Sequence, residues 1–462
     1  MPPSVPAHFP ATPNHLARSG VSACNDIITA TLGLRGMFSL LSDPTVVLAG
    51  VLLALIQFLA ALPWLYAIDP KGFKATAASG ASMAYVGGGL LGAGLAFAIF
   101  MGYKTDPIYL SWVGRYIYGS ILHLQLIIDL FLLLPQIAML LWPKGGVVAF
   151  AAYREACRQP LFWLTTTAAV ILTWVSVAVP YFTFGDDYKM MKQIGFDVTM
   201  LAAGLFGVLA SSMSISEEIE GRTAVTLMSK PVNRRQFLIG KFVGILLACL
   251  VMTTIVGWNL NTALRAMREF DPINNTPDPT DPMGVPADKV VDPLTFQAQR
   301  ALVPLFEKPV PSQPGKAIAR GAGLWFSDTL AHAPGLFLGF GQVMILVAIA
   351  CALATRLTFV VNLVLCLLIY FLGHLAPVLV RVTETATGSA VGVGLIGFLG
   401  KLFNVLLPAL EFFNMGPAII RENPLDLWQF SWYVITVFGY AIIYTSIALF
   451  VGLLLFEDRD LA

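Results

Sequence analysis

Charge is what this sequence has least of. Only 12% of its 462 residues are Asp, Glu, Lys or Arg, against about a quarter in ordinary soluble domains. With 57% hydrophobic residues, a water-soluble globule is excluded and the bilayer is the expected solvent. The net charge of +1 argues against a nucleic-acid partner, which would call for a broad basic face. Cysteine is sparse. Cys24, Cys157, Cys249, Cys351 and Cys366 are scattered with no CxxC pair, so neither a disulfide framework nor a metal site is expected. There is no HxxxH and no Cys/His cluster, and no nucleophile–base arrangement stands out. A phosphate-binding loop needs GxxxxGK followed by Ser or Thr. The Gly-Lys pairs Gly240-Lys241, Gly315-Lys316 and Gly400-Lys401 are followed by Phe, Ala and Leu. The polar, proline-rich start, MPPSVPAHFPATPNHLARSG, lacks the apolar run of a cleavable leader.

Long apolar runs are plentiful. Backbone polar groups in lipid must be satisfied within the segment, so these runs read as helices. Three precede residue 145, at 46–68, 83–102 and 117–142, and six follow, at 161–182, 196–215, 236–258, 334–355, 357–380 and 432–456. The stretch 391–414 is apolar but interrupted by Gly397, Gly400, Lys401, Pro408 and Glu411. It reads as a re-entrant or broken helix buried in protein. The segment 25–42, with Arg35 at its centre, reads as an interfacial amphipathic helix. The proline- and aspartate-rich segment 259–333 reads as an excursion outside the membrane, with a short helix at LTFQAQRALVPLFEK.

Cations orient the spans. Arg154 and Arg158 precede the first of the later six, and Arg222, Lys230, Arg234, Arg235 and Lys241 crowd the loop between its second and third. The positive-inside rule makes that loop cytoplasmic and puts the C-terminus on the same side. Lys104 and Arg115, in a loop assigned to the outside, and Arg381 and Arg421 count against it.

That loop, SISEEIEGRTAVTLMSKPVNRRQFLIGKF at 214–242, is unusually polar for a connection between two spans. Glu217, Glu218 and Glu220 carry the preceding helix out of the hydrocarbon. Gly221 can end it, TAVTLMS forms a short transverse helix, Pro231 stops that, and Arg234 and Arg235 mark re-entry. Snorkelling explains the cations. It does not explain acids at a helix C-terminus, where the dipole disfavours negative charge. Those acids call for a cationic partner, on this chain or on another.

With these features the loop resembles the segment between the second and third spans of ABC-2 type transporter permeases, in particular a subgroup associated with copper-enzyme maturation. The features are the acids before Gly221-Arg222-Thr223, the Lys230-Pro231 stop, Arg234-Arg235, and Gly240-Lys241. AAYREACRQPLFWL at 151–164 resembles that family's amphipathic entry helix, and LLLFEDRDL its ending. The resemblance covers about 148–462. It implies an all-α polytopic membrane protein in the cell membrane with a six-span core; the about three extra spans before residue 145 come from the apolar runs and depart from the family pattern. The expected plan is an N-terminal extension at 1–145, an entry helix at 146–160, and three core spans at 161–258 with a coupling loop at 216–235. The excursion at 259–333 and the last three spans at 334–462 complete it. It implies a transporter subunit, with a separate ATPase carrying ATP and Mg and docking on Glu217, Glu218, Glu220, Gly221, Arg222, Thr223, Pro231, Arg234 and Arg235. It also implies a second permease copy, identical or homologous. No cofactor is expected in this chain, and the substrate is not specified.

Intramembrane ionisable groups are functional candidates by default. Here they are Asp129, His123, His374, Lys401 and Glu411. Asp129 and His123 are six residues apart and lie on different helical faces. Lys401 and Glu411 are placed to pair across a break at Pro408. A polar contact between helices is the simpler role for each. Two other classes stay open: an ion-coupled secondary transporter, which would need midplane carboxylates and an internal repeat, and a non-transporting membrane scaffold.

Overall fold

The computed structural model describes residues 43–179, 187–220, 233–270, 293–385, 397–398, 400–403, 407–414 and 427–457. The expected interfacial helix at 25–42 and the transverse helix after Gly221 lie outside them. Every regular element among the described residues is helical. We number them α1 (Pro44–Ile68), α2 (Pro70–Ala78), α3 (Gly80–Tyr103), α4 (Pro107–Leu141), α5 (Pro143–Arg158), α6 (Pro160–Ala178), α7 (Asp187–Glu220), α8 (Arg234–Phe270), α9 (Pro293–Glu307), α10 (Gln313–Ala354), α11 (Phe359–Thr385) and α12 (Leu427–Glu457). Eight of these are long and apolar enough to cross a membrane, and part of α11 is a shorter apolar helix. A helix thus covers most of the described part of each of the nine apolar runs.

Sequence sets the helix starts. Asp43, Asp69 and Asp106 each precede a proline and accept the backbone N–H of Thr45, Gly72 and Ile108 at 2.9, 2.9 and 3.0 Å. The aspartate satisfies an orphan donor, and the proline at the first helical position has no donor to lose. Ser79 and Ser312 cap α3 and α10 in the same way.

Three boundaries differ from the sequence reading. The third early span begins at Pro107, so Arg115 is not a loop cation. It sits in a π-helical turn, Gly114–Gly119, within α4, 7% exposed. The described residues of the segment 259–333 are largely helical, because α8 runs on to Phe270 and α10 starts at Gln313 rather than near 334. The short helix expected there is α9. The reason for the longer α10 is close packing. Residues 313–333 are rich in Gly and Ala, and a Cβ on Gly321 would meet the Ser111 carbonyl of α4, one on Gly114 the Ile318 carbonyl of α10. Such small-residue seams let backbones approach directly.

Two apolar cores result. The larger joins α5–α12, with Phe162, Phe206, Val347 and Phe456 buried. The smaller joins the N-terminal helices to the first turns of α10, through Leu53, Met101, Leu110, Ile318 and Ala322. The N-terminal helices are therefore packed into the bundle. Arg115 pairs with Asp328 of α10, and Trp325 donates its indole N–H to His123 Nδ1 at 3.2 Å.

Candidate functional site

The site builds up from the ends of α7 and α8, the two helices joined by the loop at 221–232. α5 lies against α8. Its small face seats Gly240 beside Val148 and Gly244 beside Ala149 and Tyr153. This close approach positions Lys241, which is 4% exposed, so it is neither a loop cation nor a snorkelling one. Its ammonium lies 3.1 Å from Glu155 Oε2 on α5, 2.7 Å from Ser214 Oγ and 2.6 Å from Glu218 Oε1 on α7. An ammonium has three N–H donors, and here each has an acceptor. One lysine thus fastens the entry helix to the exit of α7 and the re-entry of α8.

The glutamates consequently split. Glu218 is half-buried and paired through Oε1 with Lys241, a cation on the same chain. Glu217, one position away, faces outward. Glu220 ends α7, and its side chain lies outside the described residues, as do Gly221, Arg222, Thr223 and Pro231. Arg234 turns inward and donates to the carbonyls of Phe456 and Glu457 at 2.8 and 2.7 Å, while Arg356 Nε donates to the Leu455 carbonyl at 2.7 Å. Both cap the C-terminus of α12, where carbonyls lack helical partners and the dipole favours cations. Arg235 faces outward. Of the described loop-flanking residues, Glu217 and Arg235 are presented, and Glu218 and Arg234 hold the scaffold.

Beside them α5 offers an open depression of about 650 Å³ lined by Arg154, Glu155, Arg158 and Gln159. Below it Cys157 is buried, and burial pushes its thiol up to about 12. Two carboxylates facing one ammonium leave the Lys241 cluster with an excess of one negative charge, and Arg154 and Arg158 flank it. The surface is mixed in sign, rigidly backed and contiguous with the polar loop.

The remaining candidates are separate. Asp129 is 7% exposed on α4 and meets the backbone of Trp64 on α1. Glu411 pairs with Arg381, not Lys401, which is exposed. The cause is the 3₁₀ turn Leu410–Phe413, whose Leu410 packs against Gly373 and whose Phe413 packs against Gly341. That seating carries Glu411 to the end of α11. The backbone does break at Pro408, where the Ala409 N–H finds the Tyr440 hydroxyl at 3.0 Å.

His374 Nδ1 lies 2.9 Å from the Tyr370 carbonyl. Asp197 of α7 is within electrostatic reach of both His374 and Tyr370, and Tyr370 meets Gln342 of α10. Asp197 and Lys241 were missed as site residues. Their signal was present: each is an ionisable residue inside an apolar helical run.

An all-helical, multi-pass membrane protein with this helix order is the class that the fold defines. The chain belongs to the ABC-2 family of transporter proteins, whose family model matches residues 39–461. The match takes in the N-terminal helices from 39 on, a wider span than the resemblance at 148–462. Searches of curated proteins and of solved structures returned no match.

Proposed function

We propose that this chain is the membrane-spanning permease subunit of an ATP-driven exporter in the cell membrane. It works beside a second permease copy and a separate ATPase that carries ATP and Mg. In this reading the ATPase docks on the 216–235 loop and the adjoining depression on α5, and both face the cytoplasm with the C-terminus. The observation that carries the reading is the Lys241 cluster. It ties the helix before the loop, the helix after it and the entry helix through three short contacts. A push on the loop would therefore reach α5, α7 and α8 together rather than dissipate in a floppy connection. The density of cations around the loop supports the cytoplasmic side. The absence of GxxxxGK[ST] from the sequence supports a separate ATPase.

Co-purification tests it. Tagged protein from its native membrane should retain an ATP-hydrolysing subunit. Glu217→Lys together with Arg235→Glu should release that subunit without lowering the yield of folded permease. Transport by the pure chain in vesicles, driven by an ion gradient alone, would overturn the reading.

A further inference from the structure

The length of α6 fixes the depth of its junction with α5. α6 is a candidate span of only 19 residues, Pro160–Ala178. At 1.5 Å per residue it measures about 28 Å, close to the ~30 Å of a hydrocarbon core. A span with so little to spare starts at the boundary. Pro160 therefore sits where hydrocarbon meets headgroups, and residues 154–159 lie at headgroup level. Trp163 and Leu164, early in α6, are exposed on the bilayer side of that boundary.

The depression of about 650 Å³ on α5 opens at this level. Arg154 and Arg158 line it, four residues apart on one helical face. Both are exposed, and Arg154 lies over the Phe150 ring. Neither pairs with a carboxylate among the described residues. Glu155 also lines the depression, but its carboxylate faces Lys241 Nζ at 3.1 Å. Lys241, Arg154 and Arg158 set against Glu155 and Glu218 leave one unit of positive charge. Beside them Gln159 Oε1 is buried with no hydrogen-bond partner, and an unmet buried acceptor is costly. The Gln159 side chain does not cap α6, so the positive end of that helix dipole also opens at the edge of the depression.

These groups ask for one negative charge with a hydrogen-bond donor beside it. We propose that the depression holds the headgroup of a hydroxyl-bearing anionic phospholipid of the phosphatidylglycerol type. Its phosphodiester lies on Arg154 and Arg158, and a headgroup hydroxyl donates to Gln159 Oε1. Guanidinium forks match phosphate oxygens, and basic pockets beside spanning helices hold lipid headgroups in this way. Choline and ethanolamine headgroups carry no net charge and would leave the positive charge unbalanced. A bilayer presents phospholipid at this depth far more densely than water presents free phosphate, which commits the site to lipid. The inference stands without an ATPase. Where both hold, the lipid fills the floor of the docking surface and leaves the presented Glu217 and Arg235 to the ATPase.

Native mass spectrometry on the full-length chain tests it. Protein stripped of lipid in detergent is titrated with phosphatidylglycerol, phosphatidylmethanol or phosphatidylcholine of the same acyl chains. Phosphatidylmethanol keeps the charge but has no hydroxyl. The expected result is one phosphatidylglycerol bound about tenfold more tightly than phosphatidylcholine. Arg154→Gln together with Arg158→Gln should erase that preference at an unchanged Tm, since both side chains are exposed. Gln159→Leu should make phosphatidylglycerol and phosphatidylmethanol equal, both still ahead of phosphatidylcholine. Lys144→Gln, at an exposed cation of α5 outside the depression, should bind as the parent does. No preference in the parent, or an undiminished one in the double arginine variant, overturns the proposal. An equal loss in Lys144→Gln marks a diffuse basic surface and also overturns it. Displacement of the lipid by inorganic phosphate assigns the site to the free ion and overturns the lipid as occupant.

Discussion

Lys241 Nζ lies 2.6 Å from Glu218 Oε1, at the base of the unusually polar connection between α7 and α8. The pair closes the base of the loop. Its third partner, Glu155, brings in the entry helix.

Removing the lysine should therefore loosen three helices at once. Lys241→Met leaves Glu218 half-buried without its cation, and breaking such a pair costs roughly 3–5 kcal/mol. The expected outcome is a clearly lower Tm in detergent, measured against Glu217→Gln. That substitution touches an exposed side chain and should stay within about 0.5 kcal/mol of the parent. Glu155→Gln should fall between them, because its side chain is 44% exposed while that of Lys241 is 5% exposed.

The seam between α4 and α10 should be intolerant of volume. Gly321→Leu places a side chain on the Ser111 carbonyl, and overpacking of this kind costs about 1–3 kcal/mol or more. Limited proteolysis should then release the N-terminal helices early. Gly87→Leu, at a position with open space around it, should not change the digestion pattern.

The Arg381–Glu411 pair should contribute little. The arginine side chain is 69% exposed, and exposed pairs are worth about 0–1 kcal/mol. A double-mutant cycle on unfolding, with both residues changed to alanine, should give a coupling energy in that range.

Cys157 should stay unreactive. It is buried on α5 and its thiol is pushed up to about 12 by desolvation. The thiolate is the reacting form, so at pH 7 to 8 maleimide should label it only after unfolding. The sign is fixed: a raised thiol pKa means less thiolate at every pH below it. Rapid labelling of the native protein would show that α5 detaches from α8.

Hydropathy made the membrane class and the nine helical runs legible, since about 20 apolar residues in sequence have few other fates. It missed about the first six turns of α10. Residues 313–333 contain Lys316, Arg320 and Asp328, which lower the apolar signal. What holds them is a Gly and Ala face against α4, and small residues carry no hydropathic mark of their contacts. The orientation of Glu218 and Arg234 was equally hidden. Both stand in a charged run, and only the approach of α5 and α12 turns one toward Lys241 and the other toward the Phe456 carbonyl. The pairing of Glu411 with Arg381 rather than Lys401 depends on where the turn at Leu410 is seated. Sequence spacing across a break does not fix that.

The central claim is that the loop at 216–235 carries an ATPase. Photocrosslinking from a single position measures this most directly. A benzophenone amino acid placed at Glu217 in the native membrane should capture an ATP-hydrolysing protein. The same probe at Tyr85, 83% exposed on α3, should capture none. Capture from both positions, or from neither in cells where the permease is active, would contradict the account.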